Sequence, residues 1–234
     1  MTHQFIKPAI NDMNLIKSFQ LGRFLWTVFV SWYFINFSRN FFNSLTPTKS
    51  QIPIIFFIIL VLWMAIEYYF GSPFFQSGLV EIGSKRRSVF SLFFYSITIY
   101  SIADYSSLNW TQLNILYPYI NILGLILFIS GVLLRFWTLL ILIRTPVQKL
   151  MSKKSFQICR HPRYLATLIQ TISIPLVFST YMGFILAVVV GALIINNEIK
   201  IEEIFLSKVY KTEYEEYKKK IPRLIPKFFN IVKR

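Results

Sequence analysis

The chain has 234 residues, of which 55% are hydrophobic and 18% aromatic, with 15% charged and a mean hydropathy of +0.53. Soluble domains carry about 25% charged residues, so this composition excludes an ordinary water-facing surface. A net charge of +15, from 25 basic and 10 acidic residues, suits either nucleic acid or an anionic membrane surface, and the long apolar runs select the membrane.

A bilayer core of about 30 Å takes roughly 20 apolar residues as helix, fewer where the flanks snorkel. In chain order the candidate spans are Phe24–Phe37, Ile52–Phe70, Val89–Ala103, Pro118–Ile143, Tyr164–Phe178 and Met182–Ile195. The last two are separated only by Ser179, Thr180 and Tyr181 and read as one tight helical hairpin. No short apolar core in the first 20 residues leads to a small-residue cleavage site, so no cleavable signal peptide is expected. The single cysteine, Cys159, excludes an intramolecular disulfide framework. Beyond Ile195 both charges mix with Ile, Leu, Tyr and Phe, the pattern of an amphipathic helix lying on the membrane. Pro222 and Pro226 are expected to end it.

Lysine and arginine set the orientation. They are abundant in the N-terminal segment, in the second connection (Lys85, Arg86, Arg87), in the fourth (Arg144 to Arg163) and in the tail. The opposite side has only Arg39 and Lys49. Both termini are therefore expected in the cytoplasm. The predicted fold class is all-α: a polytopic membrane bundle of about five to six transmembrane helices, with the hairpin and a cytoplasmic amphipathic helix at its end. Residues 1–117 would supply N-terminal helices and residues 118–234 the core of one integrated domain.

Two segments carry the chemistry. Arg160-His161-Pro162-Arg163-Tyr164 opens the hairpin, and Pro162 suits the first helical turn, where its missing N–H is no loss. A helix start presents backbone N–H groups to an anion, with His161 and Tyr164 beside it. The alternative reading makes Arg160 and Arg163 interface anchors and Tyr164 part of an aromatic belt. Where the sixth span leaves the membrane, Asn196 and Asn197 are followed by Glu198, Glu202 and Glu203. Glu198 and Glu202 share a helix face, and carboxylates at a hydrocarbon boundary are costly unless paired or functional. Glu202 and Glu203 are open to pairing with loop Arg or Lys. The hairpin brings both segments to one cytoplasmic mouth, where complementary ends would form a zwitterion site. Tyr210, Tyr214 and Tyr217 fall on one face of the tail helix as packing or as a wall of that site. Lys218, Lys219 and Lys220 suit lipid headgroups rather than nucleic acid. Arg135, deep in the fourth span, should face a protein interior or aqueous cavity, where it would touch an anionic substrate group; Glu67 is a weaker candidate.

Arg160 to Tyr164, the hairpin, Glu202-Glu203, Leu206, Tyr210, Tyr214, Tyr217 and Pro222 together resemble the isoprenylcysteine carboxyl methyltransferase and phospholipid methyltransferase superfamily. The resemblance covers roughly Leu125 to Pro226, and more weakly Glu81-Ile82-Gly83-Ser84. It implies an integral membrane enzyme that uses S-adenosylmethionine on a lipophilic acceptor, with membrane lipids as partners. It also implies cofactor contacts from His161, Pro162, Arg163, Tyr164 and Glu202, and looser ones from Gln148, Lys149, Leu150 and Met151. Phe156 stands where the family has Tyr, so the ring is kept and the hydroxyl lost; Ala166 stands where Gly is common. Glu198 replaces a substrate-contacting Arg of the prenylcysteine enzymes, which disfavours a prenylcysteine carboxylate. The expected reaction is methyl transfer to a lipid carboxylate or amine, with Glu198 and Arg135 as candidate catalytic residues. Alternatives are an NADPH-dependent membrane reductase of the steroid-reductase type and a non-enzymatic lipid-binding or transport protein.

Overall fold

The computed structural model describes residues 25, 28, 32, 47–69, 84–144 and 154–224, and all the regular structure among them is helical. The chain divides into two units, Met1–Phe74 and Phe75–Arg234. In the first, Leu25, Val28 and Trp32 are helical, and the rest of the expected span Phe24–Phe37 lies outside the described residues. Helix α1 (Pro47–Tyr69) matches the expected second span. Phe56, Phe57, Leu60, Trp63 and Met64 are buried, whereas Ile54, Ile55, Ile58, Leu62 and Ile66 are exposed. A helix that is apolar on every face has no water-facing side.

The second unit contains α2 (Ser84–Ala103), α3 (Tyr119–Arg144), the single turn α4 (Lys154–Ile158), α5 (Pro162–Val177) and α6 (Tyr181–Lys220). Among the described residues, Tyr119–Ile141 and the apolar part of α6 are long and apolar enough to cross a bilayer. Helix α3 packs antiparallel on α5 at backbone distance because glycine removes the obstructing side chains. A Cβ on Gly124 would lie 2.4 Å from the Val177 nitrogen, and one on Gly131 would lie 3.1 Å from the Ala166 oxygen. Small residues allow this approach in membrane helices, where apolar burial gives little drive. Polar contacts fasten the same seam at both ends: Asn121 Nδ2 donates to the Val177 carbonyl at 2.8 Å, and Arg135 Nη1 to Thr167 Oγ1 at 2.7 Å.

On the side away from the acidic cluster, a single turn of π-helix, Asp104–Leu108, ends α2 at Asn109, whose φ of 52° suits an asparagine. The fully buried Asp104 carboxylate accepts from the Trp110 N–H (2.9 Å), the Thr111 N–H (3.2 Å), Thr111 Oγ1 (2.8 Å) and Gln112 Nε2 (3.1 Å). This loop is stitched to the hairpin tip. Leu113 N–H donates to the Ser179 carbonyl (2.8 Å), Tyr181 N–H to that of Thr111 (3.0 Å), and Gln112 Nε2 to that of Phe178 (3.2 Å). The α5–α6 turn is thus held to the loop before α3.

Helix α6 departs from expectation. The expected sixth span runs on as helix past Ile195 to Tyr210, and Lys211 (φ 42°, ψ −119°), whose torsions are not helical, separates it from a second helical stretch that ends at Lys220. Gly183, Ala187, Gly191, Ile195, Ile199, Glu202 and Leu206 form its buried face, and Ile185, Leu186, Val189 and Leu193 are exposed opposite. The break at Lys211 also splits the expected tyrosine stripe: Tyr214 and Tyr217 remain neighbours, with ring centroids 6.0 Å apart, and Tyr210 falls on the other side. The helix ends at Lys220, before Pro222, as a proline two residues on requires.

Candidate active site

Pro162 is the first residue of α5, and His161 immediately precedes it. On α6, Glu198, Glu202 and Glu203 lie where the helix passes the start of α5. The loop and the helix exit meet. His161 Nε2 lies 3.2 Å from Glu203 Oε1, and His161 Nδ1 4.0 Å from Glu202 Oε1. Tyr164 shares a side-chain hydrogen bond with Glu202, with Glu198 close enough to act on it electrostatically. The His161 and Tyr164 rings sit edge to face, with centroids 5.8 Å apart. Glu202 is 1% exposed, His161 3% and Tyr164 4%, so these polar groups are almost wholly withdrawn from solvent.

Glu203 is the hub of the cluster. Arg160 Nη1 approaches Oε1 at 2.9 Å, and Arg223 Nε approaches Oε2 at 3.4 Å. Burial alone would raise the Glu203 carboxyl, but the His161 hydrogen bond and the charges of Arg160, His161 and Arg223 outweigh it and hold the group below its ordinary value. An ionised carboxylate only accepts, so the His161 bond puts a proton on Nε2 and turns Nδ1 toward Glu202. Cys159, next in the chain, is buried, and that burial pushes its thiol up to about 11. It is no thiolate nucleophile at neutral pH.

Of the other expected site residues, Pro162 is buried in the first turn of α5 and Arg163 is 5% exposed. Arg160 and Arg163 therefore face protein rather than a lipid interface. Phe156 is buried, and its carbonyl accepts from Tyr217 Oη at 2.5 Å. Arg135 is fully buried, as expected for a cation that cannot snorkel, and its Thr167 partner sits one turn beyond Arg163 and Tyr164 on α5. Gln148, Lys149, Leu150 and Met151 lie outside the described residues, and the side chain of Glu67 does also.

Arg223 and the backbone carbonyls of the returning segment were not anticipated. Arg223 reaches Glu203 and donates to Asn196 Oδ1 at 2.5 Å. The carbonyls of Pro222 and Arg223 accept from the N–H groups of Arg160 (2.9 Å) and His161 (3.2 Å). These two N–H groups, which precede the helix, are therefore used within the protein, and the N–H groups of the helix itself begin at Arg163 because Pro162 has none. Tyr217 pins the returning tail to α4. The basic run preceding Pro222 gave no signal of this role, because nothing local marks where a chain will fold back.

The cluster offers a buried carboxylate (Glu202), a phenol hydroxyl (Tyr164) and an imidazole (His161) converging from two helices. Such a set suits a ligand bearing both a cation and hydrogen-bonding groups. No curated protein and no solved structure matches the chain significantly. Residues 119–213 match the profile of the phospholipid methyltransferase family, a stretch that contains α5, the hairpin and every acidic residue of the cluster. These residues resemble the phospholipid methyltransferase family, whose members are integral membrane methyltransferases that use S-adenosylmethionine.

Proposed function

We propose that the protein transfers a methyl group from S-adenosylmethionine to the amine nitrogen of a phospholipid headgroup at the cytoplasmic membrane face. The observation that carries this reading is the meeting of His161 and Tyr164 with Glu202 in one buried cluster. The donor supplies a methyl group already activated by a sulfonium. The protein's work is then to hold, align and exclude water.

Glu202, buried and ionisable, is placed to hold the donor's ammonium or ribose hydroxyls, and the Arg163 end of α5 its carboxylate. His161 is oriented by Glu203, so its Nδ1 face turns toward the same space. An ammonium headgroup must lose a proton before its lone pair can attack the methyl carbon. Glu198, half-buried and on the Tyr164 side of α6, is placed to take that proton. The carbon–sulfur bond then breaks with its electron pair left on sulfur, and the product nitrogen carries one more methyl group. Arg135, one turn further along α5 through Thr167, is suited to the headgroup's anionic oxygens.

In this reading six spans place both termini in the cytoplasm, as the lysine and arginine distribution requires. Titration calorimetry on detergent-purified protein with S-adenosylmethionine and with NADPH tests the donor. Mass spectrometry of host lipids with and without the gene tests the acceptor. Binding of NADPH alone would overturn the reading, as would host phospholipids with no change of one methyl.

A further inference from the structure

After the Lys211 break the chain doubles back, and Pro222-Arg223 ends beside the start of α5. Arg223 is joined to the site in three ways. Its carbonyl accepts the His161 N–H at 3.2 Å, its Nε lies 3.4 Å from Glu203 Oε2, and its Nη1 donates to Asn196 Oδ1 at 2.5 Å. His161 is therefore fixed at its backbone by Arg223 itself and at its ring by the carboxylate that Arg223 holds. The imidazole is directed by the bond its Nε2–H donates to Glu203 Oε1 at 3.2 Å. A carboxylate free to rotate would leave the ring free to rotate with it.

We propose that Arg223 is a positioning residue for the methyl-donor site, acting through Glu203 on the orientation of His161, so that the returning C-terminal segment assembles the pocket it covers. This rests on the reading of His161 and Glu202 as donor-binding groups. The chemistry is that of outer-sphere support: a guanidinium and a carboxylate, both partly shielded from water, fix a ring that touches the ligand. The titratable and charged groups facing Glu203 are Arg160 and His161 from the segment before α5, Arg223 from the returning segment, Tyr214 from the helix after the break, and Glu202 on its own helix. Removing Arg223 removes one of the cations that favour ionised Glu203, so the acid limb of donor binding should move to higher pH.

The test measures S-adenosylmethionine affinity against pH for wild type, Arg223→Gln, Arg223→Lys, Glu203→Gln and the double variant. Arg223→Gln should weaken binding about tenfold and shift the acid limb upward. Arg223→Lys, which keeps a cation near Glu203, should restore the limb and most of the affinity. In the Glu203→Gln background, Arg223→Gln should add little further loss, because both act along one route. An unmoved limb with wild-type affinity in Arg223→Gln would overturn the proposal. So would losses in the double variant equal to the sum of those in the two single variants. Failure of the wild type to bind S-adenosylmethionine would instead remove the donor-site reading on which the proposal stands.

Discussion

Substituting alanine at Gly124 and at Gly191 should have opposite consequences, although both glycines are buried in helices long and apolar enough to cross a bilayer. A Cβ at Gly124 would lie 2.4 Å from the Val177 nitrogen, 2.7 Å from the Leu176 carbonyl carbon and 2.9 Å from Leu176 Cβ. The two nearest atoms are backbone, so no rotamer change relieves the clash. Restoring an ordinary contact means moving α3 from α5 by about 1 Å. That movement would stretch the Asn121–Val177 hydrogen bond, now 2.8 Å, and loosen the packing around Arg135–Thr167. Overpacking a tight interior typically costs about 1–3 kcal/mol, and a backbone obstruction puts Gly124→Ala near about 3 kcal/mol. At Gly191 the nearest atom to an added Cβ is Phe93 Cε1 at 3.5 Å, with Leu168 and Thr171 atoms beyond. There the methyl fills ordinary contact distance, and alanine is the better helix former by roughly 0.8–1 kcal/mol. Equilibrium unfolding in mixed micelles measures both. A Gly124→Ala protein as stable as wild type, or a Gly191→Ala protein equally damaged, would refute the argument from backbone proximity.

Asp104→Ala removes the acceptor of four hydrogen bonds and should cost about 2–4 kcal/mol; hydrogen exchange at the Trp110 and Thr111 amides should accelerate with it. Glu202→Gln and His161→Ala should each weaken S-adenosylmethionine binding about tenfold or more while the helical circular dichroism stays that of wild type, and calorimetry reads both. Glu203 has a depressed folded-state value, so its stabilising contribution is complete above its unfolded value near 4.5 and is lost as the pH falls through the folded one. Glu203→Gln should therefore be less stable than wild type at neutral pH and should lose less on acidification below about 4.5, followed by thermal unfolding across pH.

Much of this architecture is legible in the sequence where the governing physics is local. The run Ile52–Phe70 foretells α1, and Pro118–Ile143 foretells α3 to within a residue or so at each end, because a bilayer demands long uninterrupted apolar helix. The approach of His161 to Glu202 also follows from the sequence, since a short hairpin must return its second arm to the level of the first. What stays hidden is long-range and polar. Asp104 gives no sign that it will bind Trp110, Thr111 and Gln112 until the loop is seen to close around it. Arg135 announces that it needs an interior partner, and only the register of α3 on α5 identifies Thr167. A helical period continuing through Tyr210, Tyr214 and Tyr217 conceals the break at Lys211, because periodicity describes spacing and not the torsion of one residue. Arg223 shows least of all, since its partners lie far back along the chain.

The bonds from Arg160 and His161 to Pro222 and Arg223 bear on the order in which the protein is made. Synthesis runs from the N-terminus, so His161 leaves the ribosome well before its carbonyl partner exists. Both arms of the hairpin must be made and the turn at Lys211 completed before this corner of the site can close. A nascent chain that stops short of Pro222 would thus carry His161 and Glu202 in place, yet with the backbone amides of Arg160 and His161 lacking their carbonyl partners.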